Sequence, residues 1–389
     1  MKQFIRLLRT EFKRIFSNQV LVVIFFGAPL LYGITFVYVY RKGKLTNMPV
    51  VVIDADHSAT SGKFIDALDD NESIQVVKVQ FDAGNIAAEM PSKEYVAVIS
   101  IPAGFESAIL QKRYPEIMAD INTANLVTAN FASRAIQTVM GTLSAGIEIE
   151  ALKKGGMDRE TAAQRFEPFR VNYTRFYNPA GNYLYLMLPG ILGTIMQQVI
   201  LLGLGLVFAR DFEDGYFGKL VRHSRSSLYH ILLKITPFIL LTTLMWGVVG
   251  SFFVLYDIDI PVFNSGMAVL VAVFSLACMF LGMLVSLAIP NQLRATELLM
   301  VIATPSFLLS GFTWPLEGMP VFVQKIANAL PLTHFLNGFR KLSVYGGSFS
   351  DIQPQLTALT WIAVICFVLM VILLQWKISR QPRAGIAAA

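Results

Sequence analysis

Charge is what this sequence lacks most. Only 15% of its 389 residues are Asp, Glu, Lys or Arg, against roughly 25% in ordinary soluble domains. A chain this short of charge avoids water along much of its length. Cysteine is scarce too. Cys278 and Cys366 are the two present, both inside long apolar runs. That excludes a disulfide framework and leaves them as small apolar side chains. There is no His-Glu-x-x-His and no paired Cys, so no metal site is expected. The phosphate-cradling pattern G-x-x-x-x-G-K-[ST] is also missing. Gly43-Lys44, Gly62-Lys63 and Gly218-Lys219 each lack the following Ser or Thr, so no nucleotide cofactor is expected in this chain. The net charge of +6 lies beside apolar runs, unlike the one-faced charge of a nucleic-acid binder. No acid or base stands near the centre of those runs, where ion-coupled carriers keep ionisable groups. The energy source for any transport then lies outside the chain.

What is present is a set of uncharged runs long enough to cross ~30 Å of hydrocarbon as helices. They are Val20–Tyr40, Tyr183–Ala209, Ile235–Tyr256, Ile260–Leu293 (of which about Met267–Ile289 lies in lipid), Leu298–Leu316 and Ile352–Trp376. The first holds 21 residues without charge, too long for the apolar core of a cleavable signal peptide. Lys and Arg set the orientation. Fourteen lie in the amino-terminal segment, the 210–234 loop, Arg294 and the tail, while the opposite short segments hold only Lys325, Arg340 and Lys341. The sequence therefore reads as an α-helical polytopic membrane protein. It has six transmembrane helices, both termini cytoplasmic and an inserted extracytoplasmic α/β domain. Residues 1–19 hold an amphipathic helix, with Phe4, Leu8, Phe12 and Ile15/Phe16 at helical spacing and bases opposite. It lies on the inner leaflet, or else is a plain positive anchor.

The insert, residues 41–182, carries 15 bases and 17 acids over 142 residues, as a soluble domain does. Strands are predicted at Val50–Asp54, Ile74–Val79, Tyr95–Ile101 and Glu116–Ile121. Helices follow Ser58, Asp82 and Pro102, and a long one runs from Asn125 to about Arg165, broken at Gly155-Gly156. Asp54, Asp56 and His57 cluster after the first strand, where turn and cap chemistry accounts for them better than a metal does.

Two local patterns stand out. One is Arg210-Asp-Phe-Glu-Asp-Gly-Tyr-Phe-Gly-Lys-Leu220, within about 211–225 and cytoplasmic. The other runs from Ser310-Gly-Phe-Thr-Trp-Pro-Leu-Glu-Gly-Met-Pro320 through Leu330-Pro-Leu-Thr-His-Phe335 to Arg340. Its helix, about Val321–Leu330, is too short to span, so about 312–340 forms an external re-entrant segment. Pro315, Leu316, Met319, Pro320, Pro331, Leu332, Thr333 and Arg340 match the external motif of ABC exporter permeases of the type-2 membrane family. Glu213-x-Gly215 to Leu220 resembles that family's coupling helix, with Tyr216 in place of the usual Thr and Arg225 where a Pro often follows. The insert resembles the subfamily with a large extracytoplasmic domain, through Val50–Asp54, Asp56, Ser58 and Ile101-Pro-x-x-Phe105.

The resemblance implies a permease subunit in a bacterial inner membrane, exporting an amphiphilic or drug-like substrate. Two permease chains, identical or paralogous, pair with two separate ABC ATPase subunits that hold the ATP and magnesium. A periplasmic adaptor protein is a further partner to consider. Glu213 and Asp214 would meet bases, Gly215 would allow close approach, and Phe217 and Leu220 would pack. The path would run between the two permeases, lined by Thr194, Gln197, Gln198, Thr304, Ser306, Phe307 and Ser310. The alternative use of those polar side chains is hydrogen bonding between helices. Arg294 and Glu297, one turn apart, read as a local ion pair or an ATPase contact. The competing function is a membrane-anchored extracytoplasmic sensor without transport, though a tail of 13 residues after Trp376 offers no output domain. A membrane-embedded enzyme would need convergent acids or His, which are absent.

Overall fold

The computed structural model describes residues 2–82, 95–113, 115–158, 160–161, 177–178, 181–258 and 260–381. These form two compact units, one of Met1–Arg41 with Tyr177–Ala389 and one of Lys42–Phe176. The first begins with α1, Lys2–Phe16. Asn18 then caps the next helix by accepting the Leu21 N–H. That helix, α2 (Gln19–Val39), contains a π-turn at Val23–Gly27 just before Pro29. Proline has no N–H to give, so the ladder changes register ahead of it.

In the second unit, β1 (Met48–Asp54) lies parallel to β2 (Ile74–Gln80) on one side and to β3 (Ala97–Ile101) on the other. The last strand, β4 (Met118–Ile121), runs antiparallel to β3, giving the order β2-β1-β3-β4. Helix α3 (Ala59–Asp69) starts at a capping box in which Ser58 and Ser61 exchange side chain and backbone bonds. Helix α4 is Phe105–Leu110, and α5, Leu126–Lys154, begins at an Asn125 cap. Val50, Val52, Ile99 and Ile101 face Phe64, Leu68 and the Ala132, Ala135, Ile136, Val139 stripe of α5. Alternate residues Val51 and Val98 form a second, smaller cluster with Tyr95, as the two-residue period of a strand requires. The helix expected after Asp82 lies outside the described residues, as does the end of the long helix beyond residue 161.

The membrane-type unit resumes with α6 (Tyr183–Gly205), α7 (Val207–Glu213), α8 (Tyr216–His223), α9 (Ser227–Leu255), α10 (Ser265–Ala288) and α11 (Gln292–Leu309). It closes with α12 (Val321–Ala329), α13 (Pro331–Phe339) and α14 (Gln353–Ser379). Helix α6 is enclosed, with 78% of its apolar window buried against 28% for α2. Close packing depends on missing side chains: a Cβ on Gly205 would collide with the Leu299 side chain, and one on Gly282 would meet the Leu201 carbonyl at 3.0 Å. Helices α6 and α7 break at Leu206, which has no side-chain cap. The N–H groups of Phe208 and Ala209, freed by the break but buried, both reach the Ser286 hydroxyl oxygen on α10, each at 2.9 Å.

The boundaries differ from the sequence reading in two places. Helix α9 starts at Ser227, two turns before Ile235, so Lys234 lies inside the helix. Among the described residues, five helices are long and apolar enough to cross a membrane: Gln19–Val39, Tyr183–Glu213, Ser227–Leu255, Ser265–Ala288 and Phe349–Ser379. The run expected at Leu298–Leu316 is not among them. Its helix begins six residues earlier, at Gln292, takes in Arg294 and Glu297, and stops at Leu309. Gly311, at φ +77°, turns the chain there.

The Ser286 cap gives a test. Ser286→Ala leaves two buried N–H groups without an acceptor, at about 1–3 kcal/mol for each. Thermal unfolding in detergent should show a clear drop, and an unchanged midpoint would remove Ser286 as the cap of α7.

Candidate functional site

The Glu213–Leu220 stretch folds as two short helices hinged at Asp214-Gly215. Gly215 has φ +65°, and a Cβ there would meet nothing within 4 Å. Within this chain glycine is therefore needed for its left-handed backbone. Phe217 and Leu220 are buried. Phe217 packs on Phe212 with ring centroids 4.7 Å apart, and Leu220 meets Leu7 of α1 and Leu233 of α9. Glu213 and Asp214, expected to meet bases, find partners within the chain. Glu213 Oε1 accepts the Gln292 backbone N–H at 2.8 Å and Oε2 accepts that residue's side-chain amide. The turn is thus tied to the first residue of α11. Asp214 pairs with Arg14 at 2.9 Å and with Arg210 at 3.4 Å.

Behind this turn lies a charge cluster that sequence reasoning missed. Lys234 Nζ stands 2.8 Å from Glu11 and 2.6 Å from Asp211. Arg14 reaches the other oxygen of Asp211 at 2.5 Å. Asp211 is 0% exposed, Lys234 2% and Glu11 6%. With Arg210 and Asp214 the set holds three cations and three carboxylates, drawn from α1, α7 and the following turn, and α9. The Tyr216 ring closes it, 4.3 Å from the Arg14 guanidinium carbon. Burial by itself works against the Arg14 charge, but Asp211, with Glu11 and Asp214 behind it, raises the guanidinium's pKa above its ordinary value. One sequence signal was available: Glu11 stands in the same helical row as Leu7 and Ile15, and an acid in an apolar row needs a buried base.

The polar residues assigned to a path do not share one surface. Thr194 is buried and donates to the Gly190 carbonyl at 2.7 Å. Gln197 is 1% exposed, and neither end of its amide has a hydrogen-bond partner among the described residues. Gln198 is half-buried. On α11, Ser306 and Ser310 turn inward and donate to their own helix, at Ile302 and Phe307. Phe307 packs beside Phe312 over Gly190. Thr304 stands on the exposed face, on a helix whose Leu298, Met300, Val301 and Leu308 are exposed too. Thr194, Ser306 and Ser310 thus bond their own helices, and among the described residues none of them bridges to another. Arg294 and Glu297 are both exposed and form no ion pair among the described residues. The first turn of α11 is held instead by Asn291, which accepts the Arg294 N–H at 2.9 Å.

The external motif is a braced hairpin. Leu316 packs into the space left by Gly311, and Trp314 lies against Gly318. Pro315 and Pro320 each precede a short helix, at Leu316–Gly318 and Val321–Ala329, and Pro331 opens α13. Met319 offers its carbonyl to Gln324 at 2.9 Å. Leu332 and Thr333 are buried, the Thr333 hydroxyl without a partner among the described residues. Arg340 returns to donate to the Phe312 carbonyl at 2.9 Å, its guanidinium 4.7 Å from the Phe312 ring centroid.

The family model for ABC-2 family transporter proteins matches residues 14–372, from Arg14 in the charge cluster through the hairpin. The chain belongs to the ABC-2 transporter family. It is 25% identical over 340 residues to the "Probable multidrug ABC transporter permease YbhS" of Escherichia coli K12, covering 85% of this chain and 81% of that one. It is 22% identical to that organism's "Inner membrane transport permease YhhJ", with 82% of each chain covered. The "Linearmycin resistance permease protein LnrN" of Bacillus subtilis is 24% identical over 395 residues, covering 94% of this chain and 98% of that protein. This ABC-2 chain is thus a multi-pass membrane protein of permease type, and its family implies a partner ATPase.

The cluster makes a sharp stability test of this permease. Lys234→Met leaves two buried carboxylates with one base fewer, which should cost about 3–5 kcal/mol. Adding Glu11→Gln and Asp211→Asn removes the stranded charges and should recover most of the loss. Thermal unfolding of the two variants in one detergent checks the order. Equal midpoints would mean Lys234 is not holding those carboxylates.

Proposed function

We propose that this chain is the membrane-spanning subunit of an ATP-driven exporter that moves an amphiphilic or drug-like substrate out of the cytoplasm or inner leaflet. In this reading it crosses a bacterial inner membrane six times, with α11 and its hairpin as the fifth crossing and the 41–182 insert outside. Names containing "multidrug" and "Linearmycin resistance" among the relatives support a substrate of that type. The ATPase carries the nucleotide and magnesium. It presses on α7 and α8, whose outer residues Lys219, Arg222 and His223 are exposed. A second permease chain covers the apolar outer row of α11, and the substrate path runs between the two copies, near Thr304.

One observation carries the coupling: Glu213 holds the backbone N–H of Gln292 at 2.8 Å. A displacement of the α7–α8 hinge then pulls directly on the base of the helix that lines the proposed path. Glu213→Ala releases that grip, and Gly215→Ala strains the hinge, since φ +65° is costly for any residue with a Cβ. Reconstituted with its ATPase, the double variant should keep the size-exclusion profile of the native complex. Its substrate-stimulated ATP hydrolysis should fall at least tenfold. Native stimulation in that variant would defeat the assignment.

Orientation has its own test. A cysteine placed at Lys78, in the insert, should react with a membrane-impermeant thiol reagent in intact spheroplasts, whereas one at exposed Arg222 should react only after lysis. The reverse pattern would put the insert in the cytosol and end the exporter reading.

A further inference from the structure

We propose that Arg6, Arg9 and Lys13 on α1 form a binding site for the anionic headgroups of membrane lipids, and that its occupancy governs how well nucleotide-driven motion is transmitted. The second half rests on the exporter reading. The three bases recur at i, i+3 and i+7 and so lie in one row. They stand on the side opposite Leu7, Glu11 and Ile15, which are buried against the bundle. All three bases are exposed, and none has an ion-pair partner among the described residues. With Ile5 and Thr10 they line a shallow concavity of about 460 Å³. The carboxylate on this helix, Glu11, is spent on Lys234, so the row presents positive charge without a local counter-ion.

The apolar neighbours identify the occupant. Ile5 and Phe16 flank the row and are 46% and 51% exposed. Phe16 stacks on Phe26 of α2, ring centroids 6.2 Å apart, which sets this end of α1 beside a membrane-crossing helix. A soluble anion has no use for Ile5 or Phe16. A lipid does, because its phosphate meets the bases while its acyl region covers the flank.

The same helix carries, on its other side, the bonds to the moving parts. Arg14 holds Asp211 and Asp214, and Glu11 holds Lys234. Lipid that fixes α1 in the leaflet thereby gives α7 and α8 a footing to move against. Free of it, α1 would follow the hinge, and the stroke would be lost.

The test uses the full-length permease, alone and with its ATPase, and vesicles of phosphatidylcholine containing increasing phosphatidylglycerol. For the chain alone, phosphatidylglycerol retained through detergent exchange is measured by mass spectrometry. Each base near an anionic surface is worth about a fivefold change in partition, so Arg6→Gln/Arg9→Gln/Lys13→Gln should weaken retention roughly a hundredfold. High salt should mimic the variant. For the complex, substrate-stimulated ATPase activity should rise with phosphatidylglycerol in the native protein and stay flat in the triple variant. Arg14→Gln should bind lipid normally yet lose that rise, a separation that a merely structural role would not produce. Equal retention by native and triple-variant chains overturns the site, and so does a triple variant that loses its ATPase partner but keeps lipid. Retention without any lipid dependence of ATP hydrolysis overturns the transmission half. No stimulation in any lipid would sink the exporter reading itself, while the retention measurement still decides the site.

Discussion

Lys234 can sit inside this protein only because Asp211 and Glu11 sit with it. An ammonium at 2% exposure would be neutral or solvated if left alone, since burying an isolated charge is far more costly than one hydrogen bond can repay. The cluster therefore dictates geometry. The amino-terminal helix must lie against the start of α9, and the break after α6 must deliver Asp211 to the same point. Arg14 extends the demand to Asp214, and with it to the hinge at Gly215. Three segments, one of them about 200 residues from the other two along the chain, are placed by one requirement, the pairing of charges out of water.

Stability alone is a weak reason to build such a joint. Replacing a buried ion set by packed apolar groups is often neutral or favourable. What ion pairs supply is direction and discreteness: three cations meeting three anions have few arrangements of comparable energy, whereas a greasy contact slides. On the exporter reading, α7 and α8 move as a body against α1 and α9, and such a segment is better served by a joint that is either made or unmade. The neighbouring apolar set, Leu7 with Leu220 and Leu233, adds adhesion without that specificity.

What the sequence disclosed follows from range. Ser58, Asn125 and the Pro320–Pro331 helix are local, each written in a few consecutive residues, and each could be read. The family was readable for the same reason, because the hairpin motif is contiguous. The charge cluster was not, since Lys234 and Glu11 are 223 residues apart and a search for uncharged runs ends a helix at the very lysine that belongs inside it. Glu213 is a different case. Its position invited a partner on another protein, and nothing in the sequence says that Gln292, at a distant helix start, would take it. Arg294 and Glu297 show the converse error: their spacing permits a pair, but with Asn291 satisfying the helix end both side chains stay in solvent, where an exposed pair gains little.

The shortness of α11 has a consequence for the hairpin. Eighteen residues rise about 27 Å, and the first two turns carry Arg294 and Glu297, so the apolar part falls short of ~30 Å of hydrocarbon. On the six-crossing reading, the irregular chain after Leu309 must complete the passage at a depth where water cannot satisfy carbonyls. Non-helical backbone survives there only when protein groups take water's place. In and around the hairpin several carbonyls meet that condition. Ser310 serves the Phe307 carbonyl, Arg340 the Phe312 carbonyl, Gln324 the Met319 carbonyl and His334 the Asn328 carbonyl. Arg340 is then explained by position: a guanidinium that reaches the first carbonyl after the Gly311 turn and also covers the Phe312 ring lets the chain double back without leaving an acceptor bare.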